Sequence, residues 1–280
     1  MKKYLVDDTD YYVEARGKGP ILLFAHGFPF DGRLFEPVVE RLASRFYCVV
    51  PDLRGFGKTP LGANGHDSRG LPRVKMGRFA DDLAILGSEI ACEHGCKGAK
   101  IFVCGLSMGG YILLEFIRRR PQMLNGAIFC DSNAKNDSPE KAATRRYLAE
   151  TINPFGIHSL AENMIPDLLA ENSVQSKPDV VTKLRDMMSS QSPHGIAAGA
   201  RGMAVRRNLV ELLPTINIPT LVIGGETDKL SPPETLDEIA NVIPNATRAT
   251  IPNAGHVPPL ENPDAFADSI ITWYDSNAWN

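Results

Sequence analysis

Residues 100–116 read KIFVCGLSMGGYILLEF: an apolar run ends in Gly105-Leu106-Ser107-Met108-Gly109, and an apolar helical pattern begins at once. Joining a strand to a helix with no intervening loop forces the corner residue into strained backbone angles, so its neighbours two positions away must lack bulky side chains. Gly105, Gly109 and Gly110 meet that demand. The corner residue is Ser107, whose hydroxyl is thereby raised at the carboxyl end of a strand and beside the N-terminus of a helix, where free N–H groups favour developing negative charge. A bare G-x-S-x-G also occurs as an ordinary strand-to-helix turn holding an ordinary serine. The apolar strand before it and the helix after it favour the nucleophile's corner here.

The rest of the chain supplies the fold that such a corner needs. Short runs rich in Val, Ile and Phe predict strands over residues 4–6, 11–15, 21–25, 47–50, 100–104 and 127–130, with helices over 35–44, 77–92 and 108–119 between them. This alternation is the signature of parallel strands joined by crossover helices. Only DDTD separates the first two strands, which predicts an antiparallel edge hairpin with the rest of the sheet parallel. From 133 to 213 the strand signal stops, and four helical stretches follow around EKAATRRYLAE, SLAENMIPDLLA, DVVTKLRDMM and IAAGARGMAVRRN. Strands resume at 220–223 and 248–251, and a helix over 263–274 closes the chain. The expectation is an α/β core of residues 1–132 and 214–280 around a mostly parallel eight-stranded sheet, with residues 133–213 inserted as a helical cap.

A serine alcohol is a weak nucleophile at neutral pH, so a base must take its proton and a third group must hold that base in the useful tautomer. An acid and then a histidine should follow Ser107 in the chain. TLVIGGETD ends in Asp228, and IPNAGHVPPLENP places His256 in a loop after the last strand. Asp131, at the end of GAIFCD, competes for the acid's role because it too would lie on the carboxyl edge of the sheet. The turn GGETDKLSPP favours Asp228. His66, His94, His158 and His194 are weaker candidates for the base, and His26 reads as a residue that bonds locally to hold its loop. Two N–H donors are needed for an oxyanion; Met108 follows the serine, and Phe28 stands in the loop after the third strand.

Charge and composition narrow the classes. The 30 Lys and Arg against 33 Asp and Glu leave no basic surplus to release counterions from nucleic acid. No apolar run reaches the length of a membrane span, and the acidic, polar N-terminal stretch predicts no secretion signal, so a cytoplasmic protein is expected. Five cysteines do not form a disulfide framework, and Cys48, Cys104 and Cys130 read as buried thiols in strands. Cys92-Glu93-His94-Gly95-Cys96 packs three types of metal ligand into five residues, but it has no second pair, so it reads as structural and no metal is expected. A long loop after Pro60 carries His66, Arg69, Arg73, Lys75 and Arg78. It reads first as a solvated excursion, with contact to an anionic substrate as the alternative.

The set HGFPFD, PDLRGFGKTP, GLSMGG, GGETDKLSPPE and NAGHVPPLENP resembles the α/β-hydrolase superfamily, in the branch of carboxylesterases, enol-lactonases and cofactor-free perhydrolases. The resemblance spans nearly the whole chain. It implies ester cleavage through an acyl-enzyme on Ser107 without a cofactor, and a helical cap over an apolar cleft suggests a small to medium substrate. Dehalogenase and epoxide-hydrolase relatives use an aspartate nucleophile, and Ser107 argues against both. A lactonase remains the enzymatic alternative, and a ligand-binding protein on the same scaffold the alternative of another class. The long basic loop departs from the short connection usual in such relatives.

Overall fold

The computed structural model describes residues 1–279, which form eight strands and eleven α-helices. The strands are β1 (Lys2–Val6), β2 (Thr9–Gly17), β3 (Ile21–Ala25), β4 (Tyr47–Pro51), β5 (Ile101–Leu106), β6 (Leu124–Cys130), β7 (Thr220–Gly225) and β8 (Ala246–Ile251). They make one sheet in the order β1-β2-β4-β3-β5-β6-β7-β8. The edge hairpin expected from DDTD is present. β2 also pairs antiparallel with β4, so it is the one strand that runs against the others. That second antiparallel contact, absent from the sequence reading, follows from the hairpin itself: a strand turned back on β1 opposes both of its neighbours.

Alternate residues of a strand face opposite sides, and both sides of this sheet are covered. Leu22, Phe24, Phe102, Cys104 and Ile128 pack on one face against Val38 and Leu42 of α1 (Glu36–Leu42) and Phe266, Ile270 and Trp273 of α11 (Pro263–Asp275). Leu23, Ala25, Val103 and Phe129 pack on the other, under α2 (Met76–Glu93) and α3 (Met108–Arg119). The buried stripe of α2, with Phe79, Leu83, Leu86 and Ile90, repeats at helical spacing. Cys48, Cys104 and Cys130 are buried and unbonded to one another; burial pushes the Cys48 thiol up to about 12 and raises the other two, so all three stay neutral.

Between β6 and β7 the chain forms α4 (Pro139–Thr151), α5 (Pro154–Leu168), α6 (Glu171–Ser176), α7 (Pro178–Ser189) and α8 (Pro193–Met203). Four of these open on a proline, which is tolerated there because the first N–H groups of a helix have no internal partner. The four predicted stretches fall on α4, α5, α7 and α8. α6 is six largely polar residues, ENSVQS, without the apolar periodicity that would reveal it. α9 (Pro233–Val242) and α10 (Pro258–Glu261) complete the set. Among the described residues no helix is long and apolar enough to cross a membrane.

Candidate functional site

Ser107 stands at the corner between β5 and α3 with φ +54° and ψ −111°. A non-glycine residue held there costs on the order of 1–3 kcal/mol, which the surroundings must impose. Its N–H donates to Cys130 O at 2.9 Å, and the Ser132 hydroxyl donates to its carbonyl at 2.8 Å, so β6 grips the corner from the side. A Cβ on Gly105 would lie 2.2 Å from Gly109 O, and one on Gly109 would lie 1.9 Å from Ala25 O. These are backbone atoms that cannot step aside, which is why both positions carry glycine.

His256 lies in the loop between β8 and α10 and is buried. Its Nδ1 is 2.8 Å from Asp228 Oδ2. Asp228 follows β7, and its other oxygen accepts the Leu230 N–H at 2.8 Å. Burial opposes its ionisation, but the facing imidazole and the N–H groups of Leu230 and Ser231 outweigh burial and hold its carboxyl below the usual range. Asp131 follows β6 with φ +44° and is fully buried. Its Oδ1 accepts the Gly225 N–H at 2.8 Å and its Oδ2 accepts from Cys130 Sγ at 3.0 Å. Asp131, Asp228 and His256 bring ligand-type atoms within 4.8 Å of one another. Burial and the neighbouring charge of Asp228 push the Asp131 carboxyl well above its ordinary value. The imidazole's partner is therefore Asp228.

A residue that sequence reasoning missed holds this loop. The Glu261 carboxylate is buried; it accepts the Gly255 N–H at 2.7 Å through Oε1 and the Ala170 N–H at 2.8 Å through Oε2. His256 N–H donates to Leu168 O at 2.8 Å. The histidine loop is thus fastened to the end of α5 at two successive residues.

Ser107 and His256 meet as walls of one cavity of about 290 Å³, with Phe28 beside them, Lys141 and Arg145 from α4, and Met164 from α5. No hydrogen bond joins Ser107 Oγ to His256 among the described residues, and such contacts commonly tighten only around substrate. The backbone N–H groups of Phe28 and Met108 likewise donate to no protein atom among the described residues. His26 uses both ring nitrogens locally, Nδ1 toward Gly27 O at 2.9 Å and Nε2 accepting the Leu53 N–H at 3.0 Å, and so pins the strand-end loop that presents Phe28.

Larger cavities, of about 670 Å³ beside the basic loop and about 380 Å³ beside β2 and α1, contain none of Ser107, Asp228 or His256. The basic loop does not reach the serine: Arg69 and Arg73 pair with Asp67, and Arg78 pairs with Asp82 at 2.9 Å. Val74 N–H donates to Ala198 O at 3.1 Å, which fastens the loop on α8. Within Cys92–Cys96 the two thiols are exposed, Glu93 is taken by Lys2 and Tyr4, and His94 packs on the Tyr47 ring at 4.2 Å. Glu93 and His94 thus have structural partners of their own.

Comparison with known proteins agrees with this architecture. Residues 22–269 match the alpha/beta hydrolase family. A thermophilic esterase from Thermogutta terrifontis, solved with malate bound, is 37% identical, superposes with a TM-score of 0.90, and 98% of each chain is covered. The pimeloyl-[acyl-carrier protein] methyl ester esterase of Vibrio vulnificus is 25% identical over 277 residues, covering 95% of this chain and 98% of the relative. The enol-lactonase of Burkholderia xenovorans LB400, at 23% identity and a TM-score of 0.84 over 98% of this chain and 100% of its own, shares the fold. With its eight-stranded sheet, its serine corner and a match running through nearly all of the chain, this protein belongs to the alpha/beta hydrolase family.

Proposed function

We propose that this protein is a carboxylic ester hydrolase that works through an acyl-enzyme on Ser107. The observation that carries the reading is the meeting, in one small cavity, of a serine on a strained corner with a histidine whose Nδ1 is already committed to Asp228. That bond leaves Nε2 to face the serine. As Ser107 Oγ attacks the ester carbonyl, His256 takes its proton, and the carbonyl oxygen gains charge beside the Phe28 and Met108 N–H groups. The imidazolium then protonates the leaving alkoxide as the C–O bond breaks. Water attacks the acyl-enzyme with His256 again as base, and the serine recovers its proton as the acid departs. Asp228 stays ionised throughout and holds the ring.

The names of the Thermogutta and Vibrio relatives support ester cleavage, and the malate in the former supports a small-molecule ligand. Residues 133–213 act as a cap over the core of 1–132 and 214–280, a role supported by the cavity walls that α4 and α5 provide. The unpaired, buried cysteines support action in the cytoplasm. Opening a lactone is the second reading, since the same attack serves when the leaving oxygen stays tethered to the product.

Hydrolysis of p-nitrophenyl acetate and butyrate tests the proposal. Wild type should turn over repeatedly, and Ser107→Ala should lose about 10⁴-fold or more in kcat. A Ser107→Ala variant with full activity would overturn the mechanism, and an inactive wild type would turn attention to lactones or to ligand binding without turnover.

A further inference from the structure

The wall of the Ser107 cavity carries charge that ester cleavage alone does not use. Lys141 and Arg145 stand one turn apart on α4 and both line the cavity, whereas no aspartate or glutamate among the described residues lines it. The carboxylate that pairs with Arg145 is Asp137, and it is already shared. Asp137 is buried, Arg145 Nε donates to its Oδ2 at 2.7 Å, and Arg206 Nη1 lies 2.5 Å from its Oδ1. Lys141 Nζ has no carboxylate within 4.0 Å among the described residues, so three cations surround one anion and Lys141 is the one left over. Protein packed around its otherwise accessible side chain, and the positive charge of Arg145, hold the ammonium below its ordinary pKa, as expected of a cation that lacks an anion. Two like charges at this helical spacing disfavour the empty fold, and a bound anion would relieve them. The wall also offers Phe28, Leu148, Met164 and Leu230 to methylene groups.

We propose that Lys141 receives a carboxylate of the substrate, so that the favoured substrates are short esters carrying a free carboxylate a few atoms from the scissile bond. This rests on the ester-hydrolase reading. Arg145, bound to Asp137, keeps α4 in place behind Lys141 and adds to the positive field. The cavity's volume keeps such a substrate short.

The test compares kcat/KM for monomethyl glutarate with dimethyl glutarate, and for carboxymethyl butyrate with its methyl ester, in wild type, Lys141→Met and Lys141→Arg. The first pair places the carboxylate on the acyl side, the second on the alcohol side. Wild type should prefer the anionic member of at least one pair. Lys141→Met should lower that preference about tenfold or more, mainly through KM, and Lys141→Arg should restore most of it. High salt should shrink the wild-type preference. Glutarate binding by calorimetry to Ser107→Ala, with and without Lys141→Met, reads the same contact without turnover. Neutral esters cleaved with no preference for either anion, or a preference untouched by Lys141→Met, would overturn the proposal and leave the ester reading standing. Glutarate held through Lys141 by a protein that cleaves no ester would support the anion site and defeat the ester reading instead.

Discussion

Asp131 and Asp228 stand at the ends of the paired strands β6 and β7, and only Asp228 hydrogen-bonds the imidazole of His256, at 2.8 Å. Asp131 lies beside Asp228, and its oxygens accept from the Gly225 N–H and from Cys130 Sγ. The two carboxyls should therefore differ sharply under the same substitution. Asp228→Asn puts an N–H or a poor acceptor where the ring needs an anion, and kcat should fall about 10³–10⁴-fold. Asp131→Asn keeps an oxygen for Gly225, and its kcat should stay within about threefold of wild type. Steady-state hydrolysis of p-nitrophenyl butyrate checks both, and the reverse pattern would make Asp131 the working acid.

The same pair carries opposite pH dependences of stability. Burial and the adjacent Asp228 raise the Asp131 carboxyl well above its ordinary value, so above the ordinary carboxylate range the folded chain holds a proton that the unfolded chain has released. Stability then falls as pH rises, by at most about 1.4 kcal/mol per pH unit for one proton. Asp228 is lowered, so its contribution is present above the unfolded value and is lost as pH falls. Asp131→Asn removes only the first dependence, because its amide can donate toward Asp228 as the protonated carboxyl does. Its stability relative to wild type should therefore increase between about pH 5 and pH 8 in chemical denaturation. A constant difference across that range would mean that Asp131 ionises normally.

The parts legible in the sequence are those written locally. The corner at Ser107 could be read because strand, glycines and helix are contiguous, and β3, β5 and β7 because each is a short apolar run. The choice between Asp131 and Asp228 was harder, since both end strands of the same edge and only the turn geometry that aims each carboxylate separates them. Pairing between distant residues was not legible at all. Arg78 meets Asp7, 71 positions away, only in the fold, and nothing in EKAATRRYLAE shows that Lys141 lines a cavity. Glu261 sits five residues after His256, within NAGHVPPLENP, yet one of its partners, Ala170, is 91 positions away.

That last contact sets a test of how the histidine is held. Glu261 has two buried oxygens and both accept backbone N–H groups, from Gly255 and Ala170. Glutamine offers one acceptor and one amide donor, so whichever way it turns, one N–H faces another donor and stays unsatisfied. Leaving a buried donor unpaired costs about 1–3 kcal/mol, and the charge-assisted character of the lost bond places Glu261→Gln toward the upper end. Urea unfolding should show that loss. The histidine should also be held less well, because Gly255 immediately precedes it and the loop would then rely on the His256 N–H bond to Leu168 O, the Thr227 N–H bond to Ala254 O and the Asp228 contact. A misplaced base slows chemistry more than it weakens binding, so kcat should fall about tenfold with KM changing less. A variant that loses stability but keeps its kcat would show that the ring is positioned without Glu261, and Glu261 would then serve the fold and not the reaction.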